Sequence, residues 1–156
     1  MKFVRDDGGR KAAGYRGNAG DCVVRAVAIA SGRPYQDVYN VLSDGCRNQR
    51  TTSRSKQKAS ARNSVNVRRK WFRDLMVDWG FAWTPCMGIG TGCQVHLADS
   101  ELPAGRLVVA VSKHYTAVID RVIHDTHDPQ RQTLIVDNGV QRFAGRCVYG
   151  FWEIAD

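Results

Sequence analysis

The apolar positions of this chain recur at helical spacing in the first half and form short strand-like runs in the second half. The first helix is predicted over residues 22–30, where eight of nine residues are apolar or small. Asp21 precedes this segment as the predicted N-cap residue, and Ser31-Gly32 follows it as a stop signal. A helix that is apolar on nearly all sides is typical of the middle of a domain.

Two further helices are predicted before the chain changes character. Pro34 suits the first turn of a helix over residues 35–43, which carries an apolar stripe. A third helix is predicted over residues 67–79, ending at Gly80. Residues 1–20 are polar and rich in glycine, and they are predicted to form coil.

The remainder of the chain predicts β-structure. The predicted strands cover residues 107–111, 115–120, 122–125, 133–136 and 148–154. Glycine, proline and polar turns separate them, and Asp137-Asn138-Gly139 has the composition of a hairpin turn. Helices followed by an antiparallel sheet predict an α+β fold. A length of 156 residues fits one domain, which we assign to residues 1–156.

The positive charge of the chain is concentrated in one segment. Ten of the 23 Lys and Arg residues lie between Gly45 and Arg73 with no Asp or Glu among them, which leaves 13 basic against 15 acidic residues elsewhere. The polar run here predicts a flexible basic insertion at about 46–66, because such a sequence buries little surface. The candidate binding cations of this segment are Arg47, Arg50, Arg54, Lys56, Lys58 and Arg62.

Such a segment is suited to an acidic partner. Nucleic acid is one candidate for residues 47–70, because uninterrupted cations displace phosphate counterions. An acidic host protein would satisfy the same charges, and a solvated loop that only aids solubility is the remaining alternative. Trp71 lies at the end of the segment and could stack on a base, although its helical spacing with Leu75 favours the core.

Composition excludes several other classes of protein. With 43% hydrophobic and 24% charged residues, the chain can bury a core and is not disordered throughout. No stretch approaches the roughly 20 apolar residues that span a bilayer. The first residues lack the apolar centre of an export signal. We therefore expect a cytoplasmic protein without a membrane partner, whose five unevenly spaced cysteines are thiols.

Three residues have the chemistry of a cysteine hydrolase. Cys22 begins the first predicted helix, and a thiol there feels the positive end of the helix dipole, which favours the thiolate. His114 begins a predicted strand, and its imidazole would take the thiol proton and return it to a leaving group. Asp125 ends the next strand, and its carboxylate would hold the imidazole in the required tautomer.

The register of the predicted hairpin brings two of these residues together. If residues 120–121 form a two-residue turn, alternation puts one set of side chains on a common face: His114, Thr116, Asp125 and His127. Asp125 is then the diagonal neighbour of His114, at roughly 7–8 Å between backbones. Asp128 falls on the other face and is the alternative third residue.

The residues around these positions resemble the papain-like cysteine peptidase superfamily. The resemblance rests on residues 17–26, GNAGDCVVRA, residues 114–120, HYTAVID, and residues 122–126, VIHDT, in the family's order Cys, His, Asp. Within the superfamily, the chain is most similar to small members akin to the bacteriocin-leader (double-glycine) peptidases and to bacteriophage proteins of this kind.

The resemblance implies a fold and an activity. It implies N-terminal helices, with the nucleophile on a buried helix, packed on a C-terminal antiparallel sheet. Cys22 would be the nucleophile, His114 the general base and Asp125 the orienting acid, acting on a peptide or protein substrate without a cofactor. The family places a glutamine before the cysteine to bind the oxyanion; this chain has Asn18, whose amide could donate together with the Cys22 backbone N–H. A phage-encoded protein in the host cytoplasm is also implied.

Two other functions remain open from the sequence. A catalytically silent protein of the same fold could bind nucleic acid or a host protein through the basic segment. A zinc site is the competing chemistry, because Cys-x2-His and His-x2-His spacings occur among Cys86, Cys93, His96, His124 and His127. The Cys86-x6-Cys93 spacing is looser than the pairs typical of structural zinc, so we expect no metal.

Overall fold

The computed structural model describes residues 1–53 and 60–155 of the chain. Its helices are α1 Cys22–Ser31, α2 Tyr35–Asn48 and α3 Lys70–Asp78. Its strands are β1 Lys2–Arg5, β2 Phe81–Pro85, β3 Arg106–Val111, β4 His114–Ile119, β5 Val122–Asp125, β6 Thr133–Asp137, β7 Val140–Ala144 and β8 Gly150–Ile154. The fold is α+β, as predicted. None of the described helices is both long and apolar enough to cross a membrane.

All three helices were predicted, but α2 ends and α3 begins at a residue other than the predicted one. Helix α1 ends as expected, because Gly32 takes the left-handed conformation and donates its N–H to the Ala28 carbonyl. The predicted end of α2 at Ser43 is wrong, since the helix continues to Asn48. Its last turns are held by tertiary packing: Cys46 is fully buried in the core. Helix α3 begins at Lys70, three residues later than predicted.

Six strands form one sheet in the order β1-β5-β4-β3-β8-β2, and β6 and β7 form a separate hairpin. Within the large sheet only β1 and β5 pair in parallel among the described strands. The prediction of coil for residues 1–20 is therefore wrong at β1. This edge strand exposes all four side chains, so it has no alternation that a sequence pattern could show. Strands β2 and β7 were also not predicted.

The hairpin that carries the candidate chemistry has the predicted register. Strands β4 and β5 pair with Ile119 opposite Val122, which makes Asp120 and Arg121 the two turn residues. Both have positive φ, at 46° and 67°, as the tightest hairpin turns require. The turn predicted at Asp137-Asn138-Gly139 is confirmed, because Asp137 pairs with Val140 and the two residues between them have positive φ.

The large sheet is buried on both faces. One core cluster joins all three helices to Val108, Ala117 and Trp152 of the sheet. A second cluster packs alternate sheet residues, such as Val109 and Val118, against the segment 95–102. Five of the six residues of β3 are buried, which is typical of a strand covered on both sides. The sheet thus gives β4 and β5 a rigid support.

The cysteines differ from the expectation of five thiols. Cys93 and Cys147 form a disulfide, with their Cα atoms 5.8 Å apart, and the expectation is wrong for this pair. The isolated bridge between His96 and Cys147 brings the two distant segments together, which sequence spacing alone did not indicate. Cys22, Cys46 and Cys86 are free thiols.

Candidate active site

The approach to Cys22 is fixed by a buried charge network around Asp21. This carboxylate is fully buried, and Arg25 Nη1 donates to its Oδ1 at 2.5 Å. Arg10 Nη1 donates to Oδ2 at 3.1 Å, and the Tyr35 hydroxyl donates to the same oxygen. Asp21 occupies the predicted N-cap position, but its side chain makes no cap hydrogen bond. The carboxylate instead ties α1, α2 and the N-terminal loop together at the residue before Cys22.

The Cys22 thiol is half-buried at the first residue of α1, and its pKa lies below the ordinary value for cysteine. Burial by itself raises the pKa of this thiol. Hydrogen bonding with the His114 ring and with the Tyr115 backbone outweighs that effect, and the positive charges of His114 and Arg25 add to it. The site therefore favours the thiolate, which is the nucleophilic form.

His114 is held between Cys22 and Asp125. It is the first residue of β4, directly after the two-residue turn that follows Val111. Its Nε2 lies 2.6 Å from Asp125 Oδ2, and the interaction of its ring with Cys22 lowers the pKa of that thiol. The structure thus brings together the three side chains that the sequence singled out. The alternative residue, Asp128, is exposed and accepts hydrogen bonds from Gln130 in a turn.

The Asp125 carboxylate is buried and well supplied with donors. Thr116 Oγ1 donates to Oδ2 at 2.7 Å, and the Thr126 backbone N–H donates to Oδ1 at 2.7 Å. Arg25 Nη2 lies 3.8 Å from Oδ1. Burial alone would raise the pKa of Asp125, but the hydrogen bonds from His114, Thr116 and the backbone lower it below its ordinary value. Asp125 is therefore a carboxylate that can orient the imidazole.

The same contacts raise the pKa of His114 to about 9. Burial of the ring opposes this change, since it disfavours the charged form. The carboxylate of Asp125 and the thiol of Cys22 outweigh burial through hydrogen bonding and charge. A lowered thiol pKa beside a raised imidazole pKa favours an ion pair of thiolate and imidazolium, which can attack a carbonyl and protonate a leaving group.

A cleft of about 680 Å³ lies beside this constellation. Asn18, the predicted oxyanion donor, is exposed and lines this cleft. His127 also lines it, and its ring centroid is 5.1 Å from that of His114, so the two rings touch as the hairpin register indicated.

Three of the six candidate cations of the basic segment lie among the described residues. Arg47 is in the last turn of α2 and forms an exposed ion pair with Asp44. Arg50 and Arg62 are exposed. The other three candidate cations, Arg54, Lys56 and Lys58, lie outside the described residues. Ala61, within the predicted insertion, is fully buried, and its N–H donates to Ser43 Oγ at 2.9 Å. Trp71 packs against the helical core, and its Nε1 donates to Gln49.

Sequence reasoning missed Arg25 and Arg10 as parts of the site. Arg25 is the one polar residue among residues 22–30, yet it contacts both Asp21 and Asp125. Its position four residues after Asp21 was a usable signal, because residues at this spacing lie on one side of a helix. Arg10 gave no comparable signal, since its pairing with Asp21 depends on the path of the N-terminal loop.

The residues of the zinc hypothesis are not assembled into one site. Cys93 is bonded to Cys147, and its sulfur lies 3.5 Å from His96 Nε2. His96 in turn contacts Glu101 at 3.2 Å. Among residues 1–53 and 60–155, no group of three or more His, Cys, Asp or Glu side chains is arranged to hold a metal ion.

Comparisons of the chain with protein-family models, with curated proteins and with solved structures find no match.

Proposed function

We propose that this chain is a papain-like cysteine hydrolase that cleaves a peptide, isopeptide or related amide bond. The observation that carries the proposal is the continuous line from the Cys22 thiol through the His114 ring to the Asp125 carboxylate, with His114 Nε2 2.6 Å from Asp125 Oδ2. The shifts in pKa agree with this assignment, because they favour thiolate on one side and imidazolium on the other.

The proposed reaction has two stages. The Cys22 thiolate attacks the substrate carbonyl carbon, and the C–N bond then breaks as the His114 imidazolium gives its proton to the leaving nitrogen. The resulting thioester is attacked by water, whose proton passes to neutral His114. The acid leaves, and Cys22 is regenerated. The Asn18 amide and the Cys22 backbone N–H are the proposed donors to the oxyanion.

Alkylation of the free thiols tests the proposal directly. At pH 6–7 we expect iodoacetamide to modify Cys22 faster than Cys86, because thiolate content controls the rate. Cys86 is a matched control, since it is also a half-buried free thiol and burial raises its pKa. Residue-resolved mass spectrometry measures both rates in one sample.

The His114→Ala variant should slow the alkylation of Cys22 at least about tenfold and leave that of Cys86 unchanged. Equal rates for the two thiols in the native protein, or no effect of His114→Ala on Cys22, would contradict the hydrolase proposal and leave Cys22 as a packing residue.

The concentration of ten cations between Gly45 and Arg73 favours a second candidate function, a papain-like protein that binds nucleic acid or an acidic host protein without catalysis. The test is binding to a short duplex DNA across a salt series. Replacement of the six candidate cations by Gln should make the log–log slope shallower by up to about five units if all of them contact phosphates. Absence of binding at low salt would exclude nucleic acid as the partner.

A further inference from the structure

The cleft beside the candidate active site has a strongly basic wall, and we call it the basic cavity. Its charged lining consists of five basic side chains and one carboxylate: Arg5, Arg10, Lys11, Arg16, Arg25 and Asp7. Its volume of about 680 Å³ falls within the roughly 300–1,000 Å³ of typical ligand pockets. The described cations of the basic segment do not line the cavity.

Ion pairs account for only part of this positive charge. Arg10 and Arg25 share the buried carboxylate of Asp21. Arg5, Lys11 and Arg16 are exposed, and their side chains form no ion pair with any described residue.

The one carboxylate of the wall is already satisfied locally. Asp7 accepts hydrogen bonds from the backbone N–H groups of Gly9 and Lys11, at 2.9 Å each. Burial by itself raises the pKa of Asp7, but the backbone hydrogen bonds outweigh that effect. The pKa of Asp7 therefore lies below its ordinary value, and the carboxylate stays ionised. One negative charge therefore faces three unpaired cations, and the cavity is suited to an anion.

The basic cavity adjoins the triad through lining residues that contact Asp125 and His114. Thr126 lines the cavity and donates its backbone N–H to Asp125 Oδ1 at 2.7 Å. Arg5 also lines it, and it is the register partner of Asp125 on the parallel neighbour strand, so both side chains leave the same face of the sheet. A ligand that fills the cavity thus lies next to the side chains that would carry out the chemistry.

Arg25 adds an independent indication of a missing acceptor. Its side chain is only 9% exposed, and it lines the cavity while contacting Asp125. Its Nε has no hydrogen-bond partner among the described residues. A buried donor without an acceptor is uncommon and costs free energy, and an anion would pair with it once the Arg25 side chain turns towards the cavity.

We propose that the basic cavity binds carboxylate groups of the peptide substrate beside the bond that is cleaved, so that the enzyme prefers acidic sequences. This inference rests on the proposed hydrolase function, because it takes the ligand of the cavity to be the substrate of the adjoining triad. Guanidinium groups suit carboxylates, which they bind with two parallel hydrogen bonds. The carboxylate can belong to acidic side chains or to a chain terminus, since the two have the same chemistry.

Binding to the full-length Cys22→Ser protein separates recognition from catalysis. The probes are acetyl-Ala-Glu-Glu-Ala-amide, its Gln-Gln counterpart, and the Gln-Gln peptide with a free C-terminus. Calorimetry at low salt should show the Glu peptide binding at least about tenfold more tightly than the neutral amide. Tight binding of only the free-terminus peptide would also support a carboxylate site and assign it to a chain end.

Two variants with equal loss of charge locate the site. Arg5→Gln, Lys11→Gln and Arg16→Gln together should abolish the preference for the carboxylate peptide. The control combines Lys2→Gln, Arg131→Gln and Arg142→Gln, which remove three exposed cations outside the cavity lining and should leave the preference unchanged.

Equal affinity for the neutral amide and for both peptides that carry carboxylates, or an equal loss in both variants, overturns the proposal. A single-stranded oligonucleotide that binds through the three cavity cations more tightly than any of the peptides also overturns it and assigns the cavity to nucleic acid. Failure of the hydrolase function gives a different result, namely an unreactive Cys22 thiol in the alkylation experiment while carboxylate binding persists.

Discussion

At the scale of single residues, the charge network around Asp21 holds the site in place. Its carboxylate is fully buried and balances two arginines whose side chains are 7% and 9% exposed. Breaking a buried pair leaves uncompensated charge in a poorly solvated place, which costs far more than losing a surface pair. Asp21 therefore serves the fold and the nucleophile together, because it lies next to Cys22 in the chain.

Asp21→Asn keeps the shape of the side chain and removes its charge. We expect it to lower the free energy of unfolding by about 3–5 kcal/mol, since Arg10 and Arg25 lose their shared counter-ion. Urea denaturation followed by circular dichroism measures the change. The matched control is Asp44→Asn, which removes an exposed partner of Arg47 and should cost no more than about 1 kcal/mol. Similar losses for both variants would show that the network does not hold the fold.

The titration of His114 is the second residue-scale prediction. The ring should titrate with a pKa of about 9 in the native protein, and Asp125→Asn should lower this value, because burial then acts with less opposition. Nuclear magnetic resonance of the ring protons follows the titration. A His114 pKa that Asp125→Asn leaves unchanged would contradict the coupling of the two side chains.

The sign of the linked stability effect follows from the direction of this shift. The folded pKa of His114, about 9, lies above the unfolded value of about 6.5. The imidazolium therefore contributes stability that is complete below about pH 6.5 and is lost as pH rises through about 9. The difference in stability between the native protein and His114→Gln should shrink over that range.

At the scale of elements, the sheet allows close approaches that only glycine permits. Gly150 is buried at the start of β8, and an added Cβ would lie 2.3 Å from the Trp83 ring and 2.9 Å from the Thr84 carbonyl oxygen. The ring of Trp83 packs on that of Trp152, with centroids 5.1 Å apart. A methyl group at position 150 must therefore displace either an aromatic pair or the backbone of β2.

We expect Gly150→Ala to destabilise the protein by about 1–3 kcal/mol, the usual cost of overpacking. Thermal unfolding measures it as a lower Tm. Gly88→Ala is the control, because the atoms nearest to its added Cβ are 3.6 Å away, and it should stay within about 0.5 kcal/mol of the native protein. An unchanged Tm for Gly150→Ala would mean that β2 and β8 are less tightly packed than described.

At the scale of the whole molecule, a disulfide joins two segments that are far apart in the sequence, with strands β3 to β7 between them. Cys93 and Cys147 are 54 residues apart, and closing a loop of this length restricts the unfolded chain. Cys22 belongs to a different part of the fold, on the helical side of the core. The disulfide and the candidate active site are therefore expected to respond separately to reduction.

Replacing Cys93 and Cys147 with Ser should lower the free energy of unfolding by up to about 4 kcal/mol, from the entropy of the closed loop. Urea denaturation gives this value. The alkylation rate of Cys22 in the folded variant should remain that of the native protein. Cys86→Ser is the control, because it removes a cysteine and leaves the disulfide intact. If Cys22 loses reactivity in the Cys93/Cys147 variant but not in Cys86→Ser, the disulfide and the candidate active site are coupled.

The features that the sequence predicted are those decided by neighbours in the chain. Helix α1 follows from its apolar run and its left-handed end at Gly32, and both depend on local backbone preferences. The contact of His114 with Asp125 follows from a two-residue turn and from the alternation of side chains along a strand. Such features need no knowledge of where distant segments lie.

The features that the sequence did not predict depend on distant segments. Strand β1 exists because β5 offers it a parallel edge, and Cys93 meets Cys147 because the sheet brings their segments together. Asp21 was predicted to cap α1, but its carboxylate is instead the centre of a buried network, because Arg10 and Tyr35 of other segments donate hydrogen bonds to it. The basic cavity, likewise, gathers cations spread from Arg5 to Arg25, and only the folded chain places them beside Asp125. The sequence by itself thus determined the ends of α1, the hairpin turn and the strand alternation near the candidate triad, whereas burial and long-range pairing, which arise only on folding, decided its charge environment.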